Sequence, residues 1–205
     1  MLNLESLLLG IPALLLAISV HEFAHGYAAY LLGDPTAKYQ GRLTLNPLAH
    51  LDPLGAIMLL VFRFGWAKPV QINPAYFKNR KHGTLIVALA GPAANVVMAW
   101  LFYNLLRTVP FYLPTRALAR TAQLFLYINV QYNLGLAAFN LLPIPPLDGS
   151  KVVASLLPPR LEYSFLRFSI YGPFVLMVLL WTGMAQRMLY PVFSTLTWLI
   201  ARFSL

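Results

Sequence analysis

Three side chains in the first 33 residues have the types and spacing to do chemistry: His21, Glu22 and His25, in the run Val20-His21-Glu22-Phe23-Ala24-His25-Gly26. On a helix, residues four apart project from one face, so two imidazoles can reach one divalent metal. Glu22 stands beside them, placed to take a proton from a water activated there. Two core histidines satisfied by neighbouring backbone would give the same five-residue pattern. The surroundings weigh against that reading. From Ser6 to Gly33 these three are the only His, Asp, Glu, Lys or Arg side chains, and charged groups in lipid-grade sequence are costly enough to mark a functional site.

The elements that must position this group are apolar throughout. The 205 residues are 59% hydrophobic and 10% charged, outside the range of a soluble globular domain and in keeping with a multi-pass membrane protein. The formal charge of +9 has no basic cluster to present it to nucleic acid. Basic residues flanking apolar spans instead set topology and meet anionic lipid headgroups. The chain has no cysteine, so any zinc must be held by His and carboxylate, a set commoner in hydrolytic than in structural sites. Glu5 precedes the first lysine, Lys38. Without the basic start of a signal peptide, the first span is expected to be retained.

Taken in order, a first helix is expected from near Ser6 to the Gly33-Asp34-Pro35 stop, longer than the ~20 residues a bilayer requires. Residues 37–46 alternate weakly and read as a short strand or hairpin, whose edge could pair with an unfolded substrate segment. Residues 53–62 are too short for an ordinary span and read as re-entrant, with a tilted crossing to Trp66 as the alternative. His50 and Asp52 flank this stretch and read as an ordinary hydrogen-bonding pair rather than extra ligands. Residues 65–82 carry Lys68, Lys78, Arg80 and Lys81 with two prolines and read as a polar loop. Residues 83–106 read as a crossing, with Gly91-Pro92-Ala93-Ala94-Asn95 giving close helix approach and Asn95 pointing inward to a polar partner.

Residues 121–147 form another long uncharged run, ending in Pro143-Ile144-Pro145-Pro146-Leu147-Asp148-Gly149. Three prolines in four positions cannot continue a helix. Broken backbone at membrane depth is tolerated only where it is buried in protein or lines a wet cavity. Asp148 is the carboxylate presented there. Residues 168–186 and 188–201 read as further helices without chemistry. The expectation is an all-α multi-pass membrane protein of five to six hydrophobic segments, with a β-hairpin or re-entrant segment between the first two full spans. Residues 1–205 are expected to form one domain, its core at about 6–151 and its C-terminal helices at about 161–203.

If the loops next to the His pair and next to Asp148 share one side, and the Pro53 segment does not complete a crossing, most of the basic residues fall there too. Arg107, Arg116, Arg120 and Arg187 fall opposite, so the metal end lies on the cytoplasmic side. A catalytic zinc usually takes three protein ligands, and Asp148 is the natural third, since Glu5, Asp34 and Glu162 sit at span ends. One Zn²⁺ per chain at His21, His25 and Asp148, with Glu22 as base, implies hydrolysis of a peptide bond within the membrane. Asn140 could donate to the substrate backbone or a developing oxyanion.

His21-Glu22-Phe23-Ala24-His25, with Asn140-Leu141-Leu142-Pro143 and Leu147-Asp148-Gly149, resembles the site-2 protease family of intramembrane zinc metalloproteases. Gly91 to Asn95 is similar to that family's small-residue motif. The resemblance runs from the first span to Lys151. It implies a zinc metalloendopeptidase with ligands His21, His25 and Asp148, base Glu22, and Asn140 orienting substrate; beside the resemblance, Asn95 is a further candidate to orient substrate or meet an oxyanion. It also implies substrates that are transmembrane segments of anchored proteins, in a bacterial or archaeal cell membrane. With no PDZ or CBS domain in the sequence, a minimal catalytic core is expected. A homo-oligomer is left open. The competing readings are an inactive scaffold of the same fold, which has no need of Glu22, and a metal transporter, which needs polar residues stepped toward both surfaces.

Overall fold

A computed structural model of the chain describes residues 4–55 and 68–204. Its elements are helices: α1 (Leu4–Leu31), α2 (Thr36–Tyr39), α3 (Pro47–His50), α4 (Arg80–Thr108), α5 (Arg116–Asn140), α6 (Asp148–Leu156), α7 (Pro159–Phe168), α8 (Gly172–Trp181) and α9 (Met184–Arg202). Short 3-10 turns at Pro74–Tyr76, Val109–Tyr112 and Ser169–Tyr171 link them.

α1 ends where its sequence supplies the means. Gly33 adopts φ +100°, and the bonds from Asp34 N to Ala29 O (2.9 Å) and from Gly33 N to Tyr30 O (3.1 Å) close the last turn. The buried face of α1 is mostly small: Gly10, Ala13, Ala17, Gly26 and Ala29 share it with His21 and His25. Without a hydrophobic drive between helices in lipid, small residues allow the close backbone approach that packing requires. α4 answers with Gly91, Pro92 and Ala88, and α1, α4 and α5 form the central three-helix layer. Ala99, Phe102, Leu126, Val130, Leu134 and Ile200 make the largest apolar cluster, joining α4, α5 and α9.

Residues 37–46 are not a hairpin. Asp34 Oδ1 accepts from Thr36 N (3.0 Å) and starts a helical turn, and Gly41, at φ +66°, ends it through Arg42 N to Ala37 O (2.8 Å). Local capping overrides the weak alternation, and no strand occurs among the described residues. Most of the 53–66 segment lies outside the described residues. The expected five to six spans also give way. Among the described residues three segments are long and apolar enough to cross a membrane: Leu4–Leu31, Arg80–Tyr112 and Pro159–Trp181. α5 has the length but is not one of the three, and Gln and Asn side chains interrupt its apolar run.

The proline segment 141–147 is unwound yet firmly placed. Leu142, Ile144 and Leu147 are buried together with Leu176 of α8, and Gly172 packs where a Cβ would lie 2.4 Å from Pro145 O. The C-terminal helices, expected to carry no chemistry, thus brace the turn that leads into Asp148.

Candidate metal centre

The imidazoles meet the carboxylate across 127 and 123 positions of sequence. Asp148 Oδ2 lies 3.1 Å from His21 Nε2 and 3.0 Å from His25 Nε2, and the two Nε2 atoms are 3.0 Å apart. All three residues are buried, at 4%, 5% and 5% exposure. They are the one group of three or more His, Asp or Glu among the described residues whose ligand atoms converge in this way.

Hydrogen bonds on the far sides of the rings decide what faces inward. His25 Nδ1 lies 2.7 Å from Val87 O, and a carbonyl only accepts, so that nitrogen carries a hydrogen. His21 Nδ1 lies 2.6 Å from Asn95 Oδ1 and likewise donates. A neutral imidazole with hydrogen on Nδ1 presents a lone pair at Nε2. Two such lone pairs and a carboxylate oxygen within 3.1 Å repel one another unless a cation stands between them. The donor set, two imidazoles and one carboxylate, suits zinc. With protons in place of a metal, burial raises the pKa of Asp148, but the bonded imidazoles and Lys151 outweigh it and hold the carboxyl well below its usual range. Lys151 Nζ donates to the other carboxylate oxygen, Oδ1, at 2.9 Å and so keeps Oδ2 turned toward the rings.

Glu22 is on α1 but outside this cluster. Its Oε2 accepts from Val70 N at 2.9 Å. Val70 and His25 line the same cavity, of about 260 Å³, with Ile72, Pro74, Thr84, Val87, Ala88 and Lys151.

The other expected site residues fall elsewhere. Asn95 is 0% exposed and fully engaged: Oδ1 on His21, and Nδ2 on Ala17 O (3.0 Å) and Asn133 Oδ1 (2.8 Å). In this arrangement its amide is turned to His21, Ala17 O and Asn133. Asn140 donates Nδ2 back to Leu136 O of its own helix (3.1 Å) and is not bonded to the cluster. His50 donates to Thr44 O and Asp52 caps Gly55 N, so neither joins the site. Sequence reasoning passed over Lys151, Asn129 and Asn133. The two asparagines, four apart within the uncharged run of residues 121–147, carried the same signal as the histidines: polar groups where lipid-grade sequence makes them costly.

Comparison with known proteins supplies the lineage. YwhC of Bacillus subtilis, which carries a zinc-metalloprotease name, is 41% identical over 183 residues, covering 88% of this chain and 84% of that protein. The family model described as peptidase family M50 matches residues 108–180, which contain Asn140 and Asp148. The chain belongs to peptidase family M50, the site-2 protease family. Rip2 of Mycolicibacterium smegmatis, a second M50 relative with a zinc-metalloprotease name, is 33% identical over 187 residues, covering 88% of this chain and 69% of its own length. No solved structure matches the chain significantly. Membership makes this M50 chain a peptidase, acting on protein, and apolar helices of spanning length agree with a membrane-embedded family.

Proposed function

We propose that the chain is an intramembrane zinc metalloprotease in which His21, His25 and Asp148 hold the metal and Glu22 is the base. The observation that carries this reading is the convergence of three metal-ligating atoms within 3.1 Å, each of the three residues buried. Zinc held by such ligands acidifies a water and polarises a carbonyl oxygen. The chain's own residues do the rest. Val70 N–H fixes Glu22 Oε2 and leaves Oε1 to accept a proton from the attacking water and return it to the leaving amine. Val87 O and Asn95 Oδ1 hold both rings with Nε2 toward the metal, and Lys151 holds the carboxylate. For Asn140 to orient a substrate it must exchange its bond to Leu136 O for one to the substrate backbone.

The substrates in this reading are membrane-anchored proteins cut within or near a transmembrane segment. In this reading the metal end faces the cytoplasm of a bacterial or archaeal cell and meets anionic lipid, supported by the excess of Lys and Arg beside it. Residues 1–205 act as one domain, and association with further copies is compatible with the exposed apolar faces of α7 and α8.

The test is cleavage of model membrane-spanning peptides by purified wild type and Glu22→Gln, with metal content measured on both. Glu22→Gln should keep its zinc and lose at least about 10²-fold in rate. Equal cleavage by the two would remove Glu22 from the chemistry.

A further inference from the structure

Behind His21 runs a line of buried amides that the proteolytic reaction does not touch. Asn95, Asn133 and Asn129 are each 0% exposed. Asn133 and Asn129 lie one turn apart on α5, and Asn95 lies on the facing side of α4. Buried amides are costly unless paired. Asn95 and Asn133 pair with each other, whereas the Asn129 side chain turns to Phe125 O with its Oδ1 unpaired among the described residues, and only its backbone carbonyl joins the line.

The direction of every bond in this line is fixed by backbone carbonyls, which can only accept. Asn129 O takes a hydrogen from Asn133 Nδ2 at 2.9 Å, so Asn133 must turn its Oδ1 toward α4. That oxygen accepts from Asn95 Nδ2 at 2.8 Å, and Ala17 O takes a hydrogen from the same nitrogen at 3.0 Å. Both hydrogens of the Asn95 amide are then committed, and its Oδ1 can only face His21 Nδ1, 2.6 Å away. Were the Asn95 amide reversed, its nitrogen would face His21 Nδ1, the ring hydrogen would move to Nε2, and the lone pair needed for a metal would be gone.

We infer that Asn133 is a positioning residue which, together with Ala17 O, holds the Asn95 amide and through it the tautomer of His21 and its capacity to bind zinc. The inference rests on the proposed ligand set. Asn133 touches no metal ligand, so its effect must pass through the amide of Asn95.

The experiment is zinc affinity by chelator competition on the full-length chain in detergent, comparing wild type, Asn133→Leu and Asn133→Asp. The leucine removes the acceptor at similar volume, whereas the aspartate keeps it. Asn133→Leu should bind zinc about 10-fold or more weakly, in the range seen when a group supporting a metal ligand is lost. Asn133→Asp should stay within about threefold of wild type, at the near-unchanged end of that same scale. A purely structural residue would instead lower the melting temperature of both variants and leave the affinity of the folded fraction unchanged. That outcome overturns the inference. Nitrogen-15 histidine spectra of zinc-loaded wild type, assigned with a His21→Gln variant, need no folded Asn133 variant. They should show the His21 hydrogen on Nδ1, and a hydrogen on Nε2 overturns the inference whatever the variants do. If wild type itself binds no zinc, the ligand assignment has failed. If wild type binds and Asn133→Leu binds equally, only the relay has failed.

Discussion

Gly91 stands where the metal centre leaves no room for a side chain. A Cβ there would lie 2.4 Å from His25 Nε2 and 2.7 Å from His21 Nε2. Close helix packing was the role its neighbourhood in the sequence suggested, and the structure adds a more local one: this glycine clears the space into which two ligand atoms point. Gly91→Ala is therefore expected to weaken zinc binding at least about 10-fold while helical content by circular dichroism stays the same. Wild-type affinity in that variant would mean the rings have room to retreat. At this scale the sequence was most informative where an ionisable group was out of place. His21, Glu22, His25 and Asp148 were legible because nothing in apolar helix or proline turn explains them. Gly91, Lys151, Asn129 and Asn133 were not, because a glycine or an amide in a helix and a lysine at a polar edge each have ordinary reasons to be there.

The elements carry the ligands through turns rather than through long helices alone. Asp34 is 0% exposed and ties two backbone points to the end of α1. Its Oδ1 caps Thr36 N at the start of α2, and its Oδ2 accepts from Asn73 N at 2.6 Å. The segment so held includes Val70, whose N–H fixes Glu22. Replacing Asp34 with Ala leaves two backbone N–H groups without their partner and should cost about 1–3 kcal/mol each if they stay dry. The cleavage rate should fall and amide exchange at Val70 should speed up, with zinc content unchanged because no ligand is touched. Unaltered exchange at Val70 would separate Asp34 from Glu22. The proline break before Asp148 was legible because pyrrolidine rings cannot continue a helix. The 37–46 segment was not, since weak alternation of residue types outweighed, on paper, an Asx cap and a left-handed glycine only two and seven residues from Asp34. Three prolines in four positions stop a helix, whereas the single Pro12, Pro92 and Pro191 sit inside α1, α4 and α9, and a cap declares itself only through the bonds it makes.

For the molecule as a whole, the helical character was readable from composition, but the number of crossings was not. α5 is long but carries the buried amides, and Pro159–Trp181 is interrupted by the 3-10 turn Ser169–Tyr171. Sidedness can be measured directly because the chain contains no cysteine. With α4 crossing between them, Lys78→Cys and Arg116→Cys should react with impermeant thiol reagents from opposite faces, Lys78→Cys from the cytoplasmic one. Labelling of both from one face would end the proposed topology. The proposed activity depends on α1 and the turn before α6 gripping one metal ion. Zinc content of the purified chain tests this most directly, comparing wild type with Asp148→Ala. The expectation is about one zinc per chain in the wild type and almost none in the variant. Equal zinc in both would contradict the assignment of Asp148, and with it the centre described here.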